Sequence, residues 1–172
     1  MLGAESWVLL ADGSRKQLKD VVFGDTLTTD QGNALVNVIV KHKNEWPLVA
    51  TPCGLQLSMW HPVCISGRWV FPFEFFHDFL PVDNNFQFDL LLQPGKSHFY
   101  ASCTSTSNLV KCVALAHGIT EGVCDHPYFA STACRNDIEA LANIDHTLCL
   151  DTNPWLKDAT GVTNGLDASR VL

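Results

Sequence analysis

Short runs of alternating apolar and polar residues, separated by turn residues, fill most of the chain. Alternation with a period of two is typical of strands that bury one face, and Gly, Pro, Asn and Asp between the runs mark turns. The pattern predicts strands at 6–10, 25–30, 34–40, 46–50, from 55 onward, 86–92, 98–102 and 109–117, with a further apolar cluster at 18–22. We therefore expect an all-β fold of short antiparallel strands.

One segment near the C-terminus has a helical pattern instead. Asn136 has the side chain of an N-cap, and Glu139 follows three residues later as a capping-box partner. Three apolar residues share one helical face: Ile138, Leu141 and Ala142. A helix over 136–143 is predicted, and the polar tail from Asp151 is predicted to form loops or short strands.

The stretch 69–80, WVFPFEFFHDFL, is dense in aromatic residues. Aromatic side chains contribute large buried areas whatever the function of a protein. We interpret this stretch as core and edge packing in preference to a platform for a ligand.

Composition fits one compact domain. A chain of 172 residues, 47% of them hydrophobic, can bury a single core without a metal or a disulfide. The net charge is −7 with 11 basic residues, so nucleic-acid binding is not expected. No apolar run approaches ~20 residues, and no charged start precedes an apolar segment, so neither a membrane span nor a signal peptide is predicted. We expect a monomer without a cofactor.

The seven cysteines are odd in number and lack paired C-x-x-C spacing. Such a set favours reduced thiols and a cytoplasmic location over a disulfide framework. A zinc set could be assembled from His117, Cys124, His126 and Cys134. Structural zinc sites usually present two tight ligand pairs, which this set lacks, so no metal is expected.

The stretch 55–69, LQLSMWHPVCISGRW, contains the first candidate chemistry. Ser58 and His61 lie three residues apart after a strand-like start and just before Pro62. A hydroxyl and an imidazole so placed can face one point. Ser58 can then hold a carbonyl or amide while His61 moves a proton, since an unperturbed imidazole titrates at about 6.5. The alternative is a surface turn, because so short a motif often occurs without function.

The N-terminal region gives this motif a context. It carries an ordered set of apolar, hydroxyl, Asp-Gly and Gly-Asp positions: Leu2, Ser6, Val8, Asp12, Gly13, Leu18, Gly24 and Asp25. This set resembles the first conserved block of the Hint superfamily, the self-processing domains of inteins and hedgehog proteins. About fifty residues later, Ser58 and His61 resemble its second block, Thr-x-x-His-Pro, with serine replacing threonine. The resemblance implies a horseshoe of about a dozen short antiparallel strands with one short peripheral helix.

A strand containing Asp89 and a following strand that begins with His98 resemble the third Hint block. A carboxylate in so apolar a strand needs a partner, because burying it unpaired is costly. Asp89 is therefore either a functional group or a structural one bonded to the backbone. Cys103 lies where the hedgehog branch carries a cysteine. No His-Asn pair follows as it does in inteins, so splicing is not expected.

Beyond residue 104 the chain departs from both inteins and hedgehog. A strand ending at His117 and a later His-Pro-Tyr-Phe run at His126 resemble the Vint branch, Hint domains of proteins that also carry von Willebrand A modules. We favour these two histidines as hydrogen-bonded turn residues over a catalytic role. The resemblance implies a single domain over 1–172, with a Hint core over 1–103 and a Vint-type extension over 104–172.

In this superfamily a cysteine at the first position attacks the carbonyl of the preceding peptide bond. The resemblance therefore implies site residues at position 1, Ser58, His61, Asp89 and His98, and the upstream polypeptide of the precursor as partner. Here position 1 is Met1, whose thioether carries no proton and forms no thiolate. The chain as it stands should be inert.

Two explanations of Met1 are open: natural degeneration, or an initiator that replaced a native cysteine when the domain was expressed alone. We favour the second, because Leu2 onward keeps the block intact. The functions to be weighed are an autoprocessing domain, a degenerate module for protein interaction or folding, and a hydrolase acting in trans. In the last, Cys64 or Cys103 would be the nucleophile and His61 the base.

Overall fold

The computed structural model describes residues 1–43, 46–81, 86–117 and 126–172. These residues contain 15 strands: β1 (Leu2–Gly3), β2 (Trp7–Leu9), β3 (Arg15–Gln17), β4 (Thr26–Thr29), β5 (Gly32–His42), β6 (Leu48–Ala50), β7 (Gln56–Ser58), β8 (Val63–Ile65), β9 (Arg68–Val70), β10 (Gln87–Leu92), β11 (His98–Ser102), β12 (Val110–Val113), β13 (Thr147–Leu150), β14 (Trp155–Lys157) and β15 (Thr163–Leu166). The described part also contains the helix α1 (Thr132–Leu141) and three 3-10 helices at Leu18–Asp20, Pro72–Glu74 and Ala168–Arg170.

Most strands belong to two sheets. The first has the order β13-β5-β10-β1-β7-β6, with β4 paired to β5, and the second has the order β3-β2-β11-β12-β8-β9. The strands β14 and β15 form a separate pair. Pairing is antiparallel throughout these sheets except between β13 and β5, which run parallel. The prediction of an all-β fold with one helix is confirmed.

Two apolar clusters hold these layers together. The first joins the two sheets, with Leu2 and Leu90 from one and Phe99 from the other. The second packs the opposite face of the first sheet, including Leu91, against the C-terminal elements, including Ile138 of α1. Because neighbouring residues of β5 and β10 point into different clusters, both strands are buried on both faces. This explains their nearly continuous apolar sequences.

The helix prediction was wrong in its start. The helix α1 begins at Thr132, and its N-cap is Ser131, whose hydroxyl accepts a hydrogen bond from the Cys134 N–H at 3.3 Å. Asn136 therefore lies inside the helix. The Glu139 carboxylate lies 3.5 Å from Arg135 one turn earlier and forms no capping box. The N-cap is the non-helical residue directly before the first helical residue. Ser131, which has extended dihedrals, is that residue.

The aromatic stretch, interpreted as core and edge packing, is divided between buried and exposed side chains. Phe76 packs against the first cluster, but Phe73, Phe75 and Phe79 are each at least 42% exposed. The apolar cluster at 18–22 begins with a 3-10 helix at Leu18–Asp20. The sequence also predicts turns at 81–85 and at Gly118, and these positions fall largely or wholly outside the described residues. No helix of the described chain is long and apolar enough to cross a membrane.

Candidate active site

The start of the chain is a strand inside the first sheet. β1 lies between β7 and β10 and pairs with both in antiparallel register. One residue before Leu2, this register sets Met1 opposite Ser58 on one side and Asp89 on the other. The Ser58 N–H donates to the Met1 carbonyl oxygen at 2.9 Å. The pairing of the sheet itself therefore carries residue 1 to its position between these two side chains.

The α-amino nitrogen of Met1 is the centre of the site. It lies 3.3 Å from the Ser58 hydroxyl oxygen, 2.5 Å from His61 Nδ1 and 3.1 Å from Asp89 Oδ1. Three of the residues implied by the Hint resemblance thus meet at one atom. In this free chain the atom is an ammonium group, and it occupies the place that the nitrogen of a peptide bond to a preceding residue would take.

His61 is oriented by a second contact. Its Nε2 lies 3.1 Å from the Val113 carbonyl oxygen, which can only accept a hydrogen bond, so Nε2 carries the proton. In the neutral ring Nδ1 is then the acceptor that faces the Met1 nitrogen. Burial, followed by the charge of the nearby ammonium, lowers the pKa of His61 to about 3, although Asp89 acts in the opposite direction. His61 is therefore neutral in this chain at neutral pH.

Asp89 connects residue 1 to a further histidine. Its Oδ2 lies 2.8 Å from His42 Nε2, while its Oδ1 faces Met1 and lies 3.6 Å from His61 Nδ1. Burial alone would raise the pKa of Asp89. The ammonium and the hydrogen bond from His42 outweigh burial, so the pKa lies below the ordinary carboxyl value. Asp89 is an ionised, buried carboxylate with a specific partner on each oxygen.

His42 is the site residue that sequence reasoning missed. It ends β5 opposite Gln87, two residues from Asp89 along β10 and on the same face of the sheet. The alternating run Val38, Val40, His42 does place a histidine on an inward face. Nothing in the sequence indicates which residue of β10 that face meets, because pairing register is a tertiary property.

A cleft of about 340 Å³ opens at the Met1 nitrogen. Its polar groups come from Met1, His42, Ser58, His61, Asp89, His117 and His126. Its apolar walls come from Trp60, Pro62, Phe71, Val113, Ala114, Leu115, Phe129 and Trp155. The C-terminal region therefore supplies one side of the cleft, including His117 and His126, whereas the side chains that contact the Met1 nitrogen belong to the first 103 residues.

His117 and His126 both face this cleft. The preceding residue of His117, Ala116, adopts a left-handed backbone (φ 51°), which is strained for a residue with a Cβ. His126 Nδ1 accepts hydrogen bonds from the Tyr128 and Phe129 N–H groups, each at 3.1 Å. Its proton therefore lies on Nε2, and burial lowers its pKa. His126 is a hydrogen-bonded turn histidine, as predicted, that also lines the cleft.

His98 does not join the others. Its Nδ1 lies 3.1 Å from Asp30 Oδ1, and its ring packs 4.7 Å from the ring of Trp69. It is absent from the residues that line the cleft. Of the two residues of the third block, the structure brings Asp89 but not His98 to the start of the chain. His98 begins β11, which belongs to the second sheet, whereas Asp89 belongs to the first.

The cysteines lie outside this constellation. The six that the structure describes are free thiols, and Cys124 is outside the described residues. Neither Cys64 nor Cys103 lines the cleft, so the geometry gives no support to a hydrolase that uses one of them with His61. Within the described ranges, no three His, Cys, Asp or Glu side chains are arranged to hold a metal ion. The zinc set that included Cys124 cannot be placed.

Comparison with known families matches residues 2–165 to Vint, a Hint-domain family. The match covers nearly all of the chain, so the protein belongs to the Hint-domain family Vint. No curated protein matches the chain. The sequence resemblance is thereby confirmed, and the sheets described above are an all-β Hint fold. Membership in this family supports a self-processing or Hint-type module in general.

Proposed function

We propose that this domain cleaves the peptide bond preceding residue 1 when that position carries a cysteine. The reaction is an N-to-S acyl shift followed by resolution of the resulting thioester. The observation that carries the proposal is the contact of the residue 1 nitrogen with Ser58, His61 and Asp89 inside a cleft. Cleavage must make this nitrogen a leaving group, and these are the groups that could stabilise its departure.

In the first step the sulfur of a cysteine at position 1 attacks the carbonyl carbon of the preceding residue. The carbon–sulfur bond forms, the carbon–nitrogen bond breaks, and the thiol proton is balanced by the proton that the nitrogen gains. His61 donates that proton from Nδ1 as an imidazolium, because Nε2 is engaged with Val113. Ser58 polarises and orients the scissile amide.

The charge at the nitrogen differs between precursor and product. In a precursor it is an uncharged amide, so the ammonium that lowers the pKa of His61 is missing while Asp89 still raises it. His61 therefore protonates more readily before cleavage than after it. Asp89, held on its other oxygen by His42, would favour the imidazolium and then pair with the new ammonium group.

Water or another nucleophile then attacks the thioester, which releases the upstream polypeptide and regenerates the thiol. No His-Asn pair follows β11, so cleavage without splicing is the expected outcome. With Met1 the first step has no nucleophile, since a thioether has no proton to lose.

The test is a fusion of a folded protein to the Met1→Cys domain. Hydroxylamine attacks thioesters far faster than amides, so it should release the upstream protein from this fusion but not from the Met1 fusion. Adding His61→Ala to the Met1→Cys fusion should abolish release, because the departing nitrogen then has no proton donor. Release is followed by gel electrophoresis and mass spectrometry.

The same fusion can reject the proposal. If a folded Met1→Cys fusion releases nothing at any hydroxylamine concentration, the arrangement is not a processing site. The presence of a thioether at the nucleophile position would then favour the alternative, a degenerate non-enzymatic module used in protein interaction or folding.

A further inference from the structure

An exposed aromatic surface continues outward from the wall of the cleft. It consists of the rings of Trp60, Phe71 and Phe73, here called the aromatic strip. The Trp60 and Phe71 rings both line the cleft, with centroids 5.4 Å apart, and Trp60 stacks on Phe73 at 5.0 Å. The side chain of Trp60 is 59% exposed. Adjacent exposed aromatic rings of this kind mark interaction surfaces.

The backbone holds these rings in place. Pro72 is buried at the start of the 3-10 helix Pro72–Glu74, which turns the next residue, Phe73, outward. The Phe73 N–H donates to the Met59 carbonyl oxygen at 3.0 Å, and this bond fixes Phe73 beside Trp60. The strip is therefore a preformed surface.

The nitrogen of residue 1 faces the cleft that the strip borders. Its three partners, Ser58, His61 and Asp89, all line this cleft. A second, smaller cleft of about 130 Å³ also contacts Met1, but none of those three partners lines it. A residue bonded to the nitrogen would therefore lie in the first cleft. Residues further upstream would then leave the cleft beside the aromatic strip.

We propose that the aromatic strip binds the segment immediately upstream of residue 1 as an extended chain with apolar side chains. This inference rests on the proposed function. An extended chain advances ~3.3 Å per residue, and Met1 lines the same cleft as Trp60 and Phe71, so a few residues leaving the nitrogen could reach the strip. The rings and the neighbouring Pro62, Val113 and Leu115 offer apolar contacts, which favour aliphatic or aromatic side chains. Docking there would hold the scissile bond against His61.

The first experiment needs no chemistry at residue 1. The Met1 chain is extended upstream by a short leucine-rich segment with a photoreactive phenylalanine analogue three residues before Met1. Cross-links should map to the aromatic strip, and Trp60→Ala with Phe73→Ala should lower their yield roughly fivefold or more. Phe23→Ala is the matched control and should change nothing, because the exposure of Phe23 (50%) lies between those of Trp60 and Phe73 while its ring stacks on His146, outside the cleft lining. Cross-links that map elsewhere would overturn the proposal.

The second experiment uses hydroxylamine release from Met1→Cys fusions. With a leucine-rich upstream segment, Trp60→Ala should slow release roughly tenfold, and with a Gly-Ser segment by less than about twofold. Equal effects on both segments, or none, would overturn the docking inference and leave the proposed cleavage standing.

Absence of release from every fusion would reject the cleavage, while the cross-linking result would still decide the docking. Trp60-dependent sedimentation with phosphatidylcholine vesicles, together with no cross-link to the strip, would identify a lipid surface as the occupant.

Discussion

Two carboxylate–histidine pairs in this domain have similar distances and different surroundings. Asp89 lies 2.8 Å from His42, and Asp30 lies 3.1 Å from His98. The Asp89 side chain is 8% exposed, whereas that of Asp30 is 30% exposed. Asp89 shares a cleft with the start of the chain, whereas Asp30, which follows β4, pairs with a histidine of the second sheet that packs on Trp69.

The third member of each cluster makes the decisive difference. Asp30 also pairs with Lys111 at 2.9 Å, a cation that is permanent. Asp89 also pairs with the amino group of Met1 at 3.1 Å. Under the proposed function that charge appears only when the preceding peptide bond is broken. A carboxylate–histidine pair alone therefore does not distinguish the two clusters; under the proposal, the distinguishing feature of the Asp89 cluster is a partner whose charge changes on cleavage.

The largest difference between the two clusters should appear in the unfolding free energy of the Met1 chain when each carboxylate is replaced in turn. Asp89→Asn leaves a partly buried ammonium and His42 without their anion, which should cost about 3–5 kcal/mol of unfolding free energy. Asp30→Asn breaks a more exposed cluster and should cost about 1 kcal/mol or less. Urea unfolding followed by fluorescence measures both. Equal losses would mean that the two pairs are structurally equivalent.

The pH dependence of stability should be steep because of His61. Its pKa is lowered to about 3, so between its ordinary value of 6.5 and about 3 the unfolded chain binds a proton that the folded chain does not. Its contribution is therefore present above pH 6.5 and falls as pH decreases, by about 1.4 kcal/mol per unit. Asp89, whose pKa is also lowered, adds a further loss only below its ordinary 3.8.

Urea titrations from pH 7 to pH 4 check this slope. His61→Gln removes the titrating ring, so the curve should flatten over that range. Ser58→Ala alters the same site without removing a titrating group, and it should keep the slope. A slope that survives His61→Gln would show that another group is responsible.

Replacing Ser58 should change the rate of release from the Met1→Cys fusion more than it changes the free energy of unfolding. Ser58→Ala removes one hydrogen-bonding group from the scissile amide and should slow release by about 10- to 1000-fold. Ser58→Thr keeps the hydroxyl and should retain most of the rate. If Ala and Thr at this position release at the same rate, the Ser58 hydroxyl has no part in cleavage.

The smallest effect should come from His98. Its ring does not line the cleft, so His98→Ala should leave the rate of release from the Met1→Cys fusion unchanged within about twofold. Thermal unfolding of the same variant separates loss of packing from loss of activity. A large drop in rate with unchanged stability would mean that the two clusters are coupled.

Sequence patterns predicted the structure correctly where interactions between residues close in sequence determine it. Alternation identified β10 and β11 almost to the residue, and the Ser58-x-x-His61 motif identified two groups that do meet at one atom. Both depend on strand periodicity and a tight turn, since the His61 N–H donates back to the Ser58 carbonyl at 3.1 Å. The sequence could not show that Phe73 is exposed, because the identity of an apolar side chain does not determine which neighbours cover it.

The sequence by itself determined the all-β class, the family and three of the side chains that meet at residue 1. Only the tertiary structure decided which of the predicted side chains lie together. The register of β5 on β10 brings His42 to Asp89, and the assignment of β11 to the second sheet separates His98 from them. Strand pairing joins residues far apart in sequence, and a shift of one residue turns every side chain of a strand to the other face. Periodicity can therefore indicate that a histidine points inward without indicating what it will meet.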